Sequence, residues 1–246
     1  GDIVKIVSWN VNGIAACREH GFLKFLKSVK PDIVCCQEVK SKIDLSTPGY
    51  LQYWNKAKEP GYAGTLILTK YEPISVTNGF GIKKLDGEGR IITLEYQDYY
   101  VLNVYVPSIH TYSAPDRPDF RLAWDKALRK YISKLDKPVI LCGDFNATAA
   151  YIDTYPTNQK NEPDNPLFTS ETRDSIVQLK AMGLVDAFRA LYPDKEADYT
   201  WWGPKDVNRV QNHGSRLDYF FLSGELVSGL QEVTHHADIF GSDHCP

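Results

Sequence analysis

The polar residues of this chain that could bind a metal or move a proton recur at one kind of place, the end of a short apolar run. Asn10 and Asn12 stand in Trp9-Asn10-Val11-Asn12-Gly13. Gln37-Glu38 closes the run 33–36, and Tyr105 lies near the end of 102–106. Gly143-Asp144-Phe145-Asn146 closes 139–142, and Ser242-Asp243-His244 stands far along the chain. Strand ends beside glycines are where sheet folds place their sites. The set is carboxylates, amides and one His beside an Asp, with no thiolate pair and no Gly-rich phosphate loop. Oxygen donors with at most one imidazole suit a hard cation, Mg²⁺ with Mn²⁺ able to substitute, and do not suit a structural zinc. Such an ion binds a phosphate oxygen and stabilises charge on a phosphoryl group. A remaining carboxylate and imidazole could activate water and polarise the phosphate. These residue types therefore permit hydrolysis of a phosphate ester.

Taken singly, each motif has a plainer explanation. A lone glutamate at a strand end is usually solvated or paired. Asp144 and Asn146 could be turn formers, because Asp and Asn accept local backbone bonds. Asp243-His244 could be a surface pair. His235-His236 reads as structural, since adjacent side chains on a strand point to opposite faces, and Cys35-Cys36 fails as a ligand pair for the same reason. The joint occurrence carries the argument.

To bring these groups together the chain needs strands whose ends meet. Strand-length runs rich in β-branched or aromatic residues cover 3–7, 32–36, 65–69, 91–96, 100–106, 139–142 and 217–222. Helical periodicity covers 22–29, 120–134 and 170–182, the last stopping at Met182-Gly183. Residues 65–106 read as an antiparallel meander, with no helix between the strands. The mixture predicts an α/β fold of two mixed sheets packed face to face with helices outside. Residues 151–168, with three prolines and several asparagines, read as one long surface loop, a kind of segment that is usually functional or mobile. No repeat or domain boundary is visible.

The chain has 246 residues, 43% of them hydrophobic, enough for a large core, and 12% aromatic residues argue against disorder. A net charge of −3 excludes a globally basic nucleic-acid binder, so any such site must be a local patch. The five cysteines lack CxxC spacing and read as buried thiols in a reducing compartment. No basic region precedes an apolar stretch at the start, and no apolar run approaches the ~20 residues that span a bilayer. A soluble intracellular protein without a membrane partner is expected.

The motifs WNVNG, QE, YVP, GDFN, RLDYFFLS and SDHCP follow one another across nearly the whole chain. In that order they closely resemble exonuclease III and the apurinic/apyrimidinic endonucleases of the endonuclease/exonuclease/phosphatase superfamily. Gly61-Tyr62-Ala63-Gly64, Gly87-Glu88-Gly89-Arg90, Phe120-Arg121-Leu122-Ala123-Trp124-Asp125 and Tyr199-Thr200-Trp201-Trp202 resemble the DNA-repair branch in particular. The resemblance implies a four-layer α/β/β/α sandwich of the DNase I type, forming one domain over 1–246. It implies a metal-dependent DNA phosphodiesterase of base-excision repair that cleaves 5′ to abasic sites, with possible 3′-exonuclease or 3′-phosphodiesterase activity. The partner would be double-stranded DNA with abasic sites or blocked 3′ ends, met by a monomer. Glu38 would be the principal metal ligand, with Asn10, Asn12 and Asp243 around the ion. Asp144 would orient or deprotonate the attacking water, Asn146 and Tyr105 would hold the scissile phosphate, and His244, oriented by Asp218, would stabilise its oxyanion. Tyr62 and Arg90 would contact the DNA backbone, and Trp202 would line the pocket for the base-less sugar.

Four places along the chain depart from the family. Ala15 stands where an Arg is usual and Ser108 where an Asn is usual. Ala147-Thr148-Ala149-Ala150-Tyr151 replaces a run close to Val-Ala-His-x-Glu, and Ser215 replaces a Trp. Pro246 falls where the family continues into one more strand, so a missing C-terminal strand is expected. None of these changes removes an expected ligand or the water activator. The expectation is retained chemistry with an altered grip on the abasic site. The alternatives are a relative acting on a non-DNA phosphoester and a DNA-binding relative with impaired cleavage.

Overall fold

Strands buried on both faces need cover on both faces, and two continuous apolar runs show how the fold meets that need. β2 (Ile33–Gln37) and β4 (Thr65–Thr69) are buried at every position. The computed structural model describes residues 3–110, 115–156 and 167–246. β2 lies between β1 (Ile6–Asn10), to which it is parallel, and β4, to which it is antiparallel; β3 (Leu51–Asn55) closes that sheet in the order β1-β2-β4-β3. The second sheet runs β5 (Ser75–Asn78), β6 (Ile91–Glu95), β7 (Tyr100–Tyr105), β8 (Val139–Asp144), β10 (Asp218–Ser223) and β9 (Leu184–Asp186).

Three apolar clusters separate four layers. Trp9, Phe22, Phe25 and Cys36 pack the first sheet against α1 (Ile14–Glu19) and α2 (Phe22–Val29). Cys35, Ile67, Ile92 and Cys142 fill the space between the sheets. Trp124, Leu128, Ile176 and Phe221 join the second sheet to α3 (Pro118–Ser133) and α4 (Ser170–Ala181). The architecture is the expected α/β/β/α sandwich. Cys35 and Cys36 fall in different clusters, as the strand pleat requires.

The expected meander needs one correction. Only β5, β6 and β7 pair antiparallel in series; β4 belongs to the other sheet, because the turn after Thr69 carries the chain across the sandwich. β3, β5 and β9 are strands in addition to those read from the sequence, and β1 extends to Asn10 through Trp9. From the expected loop at 151–168, the described part holds a 3₁₀ turn at Tyr151–Asp153 and a bridge from Thr154 to Ser215; residues 157–166 lie outside the described residues. Among the described residues no helix is long and apolar enough to cross a membrane.

Register decides where the polar strand ends meet. β1 and β2 run parallel, as do β7 and β8, so each pair finishes at the same pole. β10 runs antiparallel to β8 and begins there, with Asp218 opposite Asp144 and Tyr105 opposite Asp144 on the other side. Gly143 lets β7 come close enough: at φ 145 a Cβ on it would lie 1.8 Å from the Val104 carbonyl oxygen.

Candidate active site

The amide of Asn10 is the junction of the two sheets. Fully buried, it donates from Nδ2 to Glu38 Oε1 at 3.1 Å and to Asp144 Oδ2 at 2.8 Å, and its Oδ1 accepts the Asn12 backbone N–H at 3.0 Å. Glu38 and Asn12 have positive φ, 52° and 46°, at the turns that end β2 and follow β1. Asn146, at φ 44°, gives its backbone N–H to Asp144 Oδ1 at 2.9 Å and one Nδ2 hydrogen to the Val106 carbonyl at 2.8 Å. Non-glycine residues held in this region cluster at functional sites.

His244 Nδ1 is hydrogen-bonded to Asp218 Oδ2 at 2.8 Å, and its Nε2 faces Asp144 Oδ2 at 3.6 Å. Burial opposes the imidazolium, yet the carboxylates of Asp218 and Asp144 outweigh it and raise His244 well above its ordinary value. Burial raises Asp144 strongly, against the pull of His244, so this carboxyl titrates far above a solvent-exposed aspartate. The last segment is fastened to the first strand: Trp9 Nε1 donates to the His244 carbonyl at 3.1 Å, and Ser242 Oγ donates to the Asn10 carbonyl at 2.6 Å.

One wall carries three expected residues in an arrangement the sequence did not disclose. Arg90 is buried, and donates to Glu88 Oε1 at 3.1 Å, to the Tyr105 carbonyl at 3.0 Å and to the Tyr62 hydroxyl at 3.1 Å. It therefore holds Tyr62 and Tyr105 from behind rather than reaching out of the wall. The guanidinium on the surface is that of Arg117, which has 32% of its side chain exposed and bonds both Glu88 and the Tyr62 hydroxyl. Burial raises the Glu88 carboxyl, but the two guanidiniums outweigh it and leave it lowered. Burial beside Glu38 pushes the Tyr105 hydroxyl well up, so it remains a proton donor.

The two adjacent tryptophans are placed differently, and the one expected at the pocket is the buried one. Trp202 is only 3% exposed, gives its indole N–H to Asn212 Oδ1 at 2.9 Å and packs under Arg209. Trp201 instead bridges to His244 through the backbone, has its ring 6.3 Å from the imidazole, and donates from Nε1 to Asp243 Oδ2 at 3.3 Å. Adjacent residues in extended chain face opposite ways, so only one of the pair can look into the site. Of the departures, Ala15 is exposed on α1. Ala147 and Ser215 are packed beneath the loops, Ala147 accepting the Tyr219 hydroxyl at 2.8 Å and Ser215 meeting Thr154 Oγ1 at 2.8 Å.

The donor set fits a hard cation. Glu38, Asn10, Asp144 and Asp218 supply oxygen at one pole. Asp144, Asp218 and His244 hold ligand atoms within 4.8 Å of one another, and Asp218 Oδ1 is buried without a hydrogen-bond partner. A buried carboxylate oxygen with no protein partner is an acceptor for a cation, a proton or a water. Asn12 meets this group through its backbone, and Asp243 through Trp201; neither side chain bonds Glu38.

The model of the Endonuclease/Exonuclease/phosphatase family matches residues 7–244, which span every residue of this cluster. An exodeoxyribonuclease of Bacillus subtilis is 41% identical, covering 99% of this chain and 97% of that protein. A DNA-(apurinic or apyrimidinic site) endonuclease of Dictyostelium discoideum is 38% identical over 99% of this chain and 69% of its own length. Among solved structures, the AP endonuclease LMAP of Leishmania major superposes with a TM-score of 0.87 at 27% identity, covering 98% of this chain and 85% of that one. The 3′ phosphatase NExo of Neisseria, bound to a product DNA hairpin, gives 0.86 at 25% identity, covering 99% and 97%.

Proposed function

Because the chain belongs to the endonuclease/exonuclease/phosphatase family, we propose that it is a nuclease of DNA repair that hydrolyses phosphodiesters 5′ to abasic sites and removes blocked 3′ ends. The reading rests on a single observation: one buried amide, Asn10, ties the Glu38 carboxylate of one sheet to the Asp144 carboxylate of the other. That pairing sets a metal-binding oxygen beside a candidate base.

Glu38 and Asn10 would hold a divalent cation, with Asn12 and Asp243 in the next shell; Mg²⁺ is the natural occupant and Mn²⁺ a substitute. Bound there, the ion supplies positive charge to a phosphate oxygen. Asp144 takes the proton of the attacking water. Its raised carboxyl suits that task, since a general base works best near the operating pH. Asn10 and the Asn146 N–H fix its two oxygens, so the carboxylate does not rotate. His244, kept cationic by Asp218, donates from Nε2 to the developing phosphate oxyanion. The Tyr105 hydroxyl and the free Nδ2 hydrogen of Asn146 hold the remaining phosphate oxygens. Tyr62 and Arg117 take the DNA backbone, with Arg90 as their support. Trp201, in place of Trp202, lines the sugar pocket. A monomer working on double-stranded DNA completes the reading.

Cleavage of a duplex carrying one abasic-site analogue tests it, with Mg²⁺ and with EDTA, against Asp144→Asn. A metal-dependent nick 5′ of the lesion, lost in the variant, is the expected result. Salt-sensitive binding of the folded protein with no nick would instead favour a DNA-binding relative that does not cut.

A further inference from the structure

One guanidinium outside the proposed site has every donor engaged. Arg121, in the first turns of α3, is 1% exposed. Its Nε donates to Asp125 Oδ2 at 2.8 Å. Nη1 donates to the carbonyls of Pro107 at 3.0 Å and Asn146 at 3.1 Å, and Nη2 to the Phe145 carbonyl at 2.9 Å and to Ser175 Oγ at 3.3 Å. A guanidinium has five N–H groups in a rigid plane, and here each has a partner.

The three carbonyls belong to the two loops that bear the proposed phosphate-holding groups. Pro107 follows Tyr105, and Phe145 and Asn146 follow Asp144. Asn146 is held at φ 44°, a conformation that persists only where its surroundings fix it. The same loops are also joined at their inner side, Val106 N–H to the Asp144 carbonyl at 2.8 Å and Asn146 Nδ2 to the Val106 carbonyl at 2.8 Å. Arg121 closes the outer side of that frame.

We infer that Arg121 is a positioning residue for hydrolysis, setting Asn146 and Tyr105 at the spacing that grips the scissile phosphate. It touches neither substrate nor metal and acts through backbone carbonyls. The inference rests on the proposed function, and the two fail separately: no metal-dependent nick by the wild type defeats the function, whereas the variants below judge Arg121. A lysine keeps the charge, but its compact ammonium offers three donors and cannot span the carbonyls that the planar fork reaches. A misplacement of about 1 Å in a reacting array costs roughly 10²-fold in rate.

The experiment compares Arg121→Lys, Asp125→Asn and Ser175→Ala for melting temperature, for Kd on an abasic duplex in EDTA, and for kcat and KM with Mg²⁺. Ser175→Ala removes an Arg121 partner on α4 without touching either loop, so it reports what loosening the packing alone does. The expected result is a fall in kcat of roughly 10²-fold for Arg121→Lys with KM and Kd unmoved. Asp125→Asn, which slackens the anchor, falls in the same direction by less, and Ser175→Ala keeps its kcat. If Arg121→Lys does not fold, Asp125→Asn decides alone. A kcat no lower than that of Ser175→Ala in the variant that folds overturns the inference, as does a loss confined to KM and Kd.

Discussion

Asn10 and Asp144, separated by 134 residues in sequence and lying in different sheets, share a buried hydrogen bond of 2.8 Å. This bond fixes the carboxylate oxygen nearest His244 Nε2, the same Oδ2 that lies 3.6 Å from it. Asn10→Ala should cost roughly 10²–10³-fold in kcat, the scale of losing one preorganised donor in a water-poor site. Single-turnover cleavage of an abasic duplex at saturating Mg²⁺ measures it. A variant that regains full rate when Mg²⁺ is raised would limit Asn10 to metal binding.

The two adjacent tryptophans should separate by phenotype. Trp201→Ala should impair cleavage of the abasic duplex while sparing the melting temperature, because its ring lies at the site beside His244 and Asp243. Trp202→Phe should do the reverse, losing about 1 kcal/mol with its hydrogen bond to Asn212 and keeping its rate. Thermal melts and cleavage assays on both variants test the assignment, and an exchange of the two phenotypes would return Trp202 to the pocket.

Arg216 is 1% exposed, and is matched by Asp186 through two bonds of 3.0 and 2.8 Å and by Asp153 at 2.8 Å. Removing one partner of a buried pair leaves a charge uncompensated. Asp186→Ala should therefore lower the unfolding free energy by about 3–5 kcal/mol. Denaturant titration reads this directly, and a loss below about 1 kcal/mol, the scale of an exposed ion pair, would mean that water reaches the site.

Asp198 supplies an acid-side prediction away from the proposed site. Its partial burial raises the carboxyl, but the hydrogen bond from His235 and the Lys195 ammonium outweigh burial and hold it at about 2, below its ordinary 3.8. A depressed folded value contributes stability that is complete above the unfolded value and is lost as pH falls through the folded one. The melting-temperature gap between wild type and Asp198→Asn should be full at neutral pH, begin to shrink as pH falls below about 4 and close only as it passes about 2. A gap that is constant down to acid would show that the bond, and not the charge, stabilises this corner.

What could be read in the sequence, and what could not, divides along physical lines. Thr65–Thr69 and Phe22–Val29 matched their patterns because strong periodicity and burial agreed. β5 did not announce itself, since Ser-Val-Thr-Asn lies exposed at a sheet edge at every position and has no buried face to pattern. β8 was read as ending at Cys142, but it runs on through Gly143 to Asp144, because glycine here serves the close approach of β7 instead of breaking the strand. The residues of the proposed centre were recognisable by type. That Trp202 is buried while Trp201 lies beside His244, and that Arg90 is buried while Arg117 is partly exposed, depends on which way side chains turn. Arg121 stood in a recognisable motif, yet its partners are backbone carbonyls 14, 24 and 25 residues away, and no residue pattern encodes a carbonyl.

The hydrogen bonds that fasten Ser242 and His244 to Asn10 and Trp9 have a consequence for how the protein is made. A ribosome releases residue 10 early and residue 244 more than two hundred residues later. Until then the growing chain holds Asn10, Glu38 and Asp144 without their imidazole, and the strand that ends at Asn10 lacks its tether. The imidazole can join those three side chains only after residue 244 has been made and residues 242–244 have folded back onto β1, so the proposed centre forms late, by the closing of a contact more than two hundred residues long.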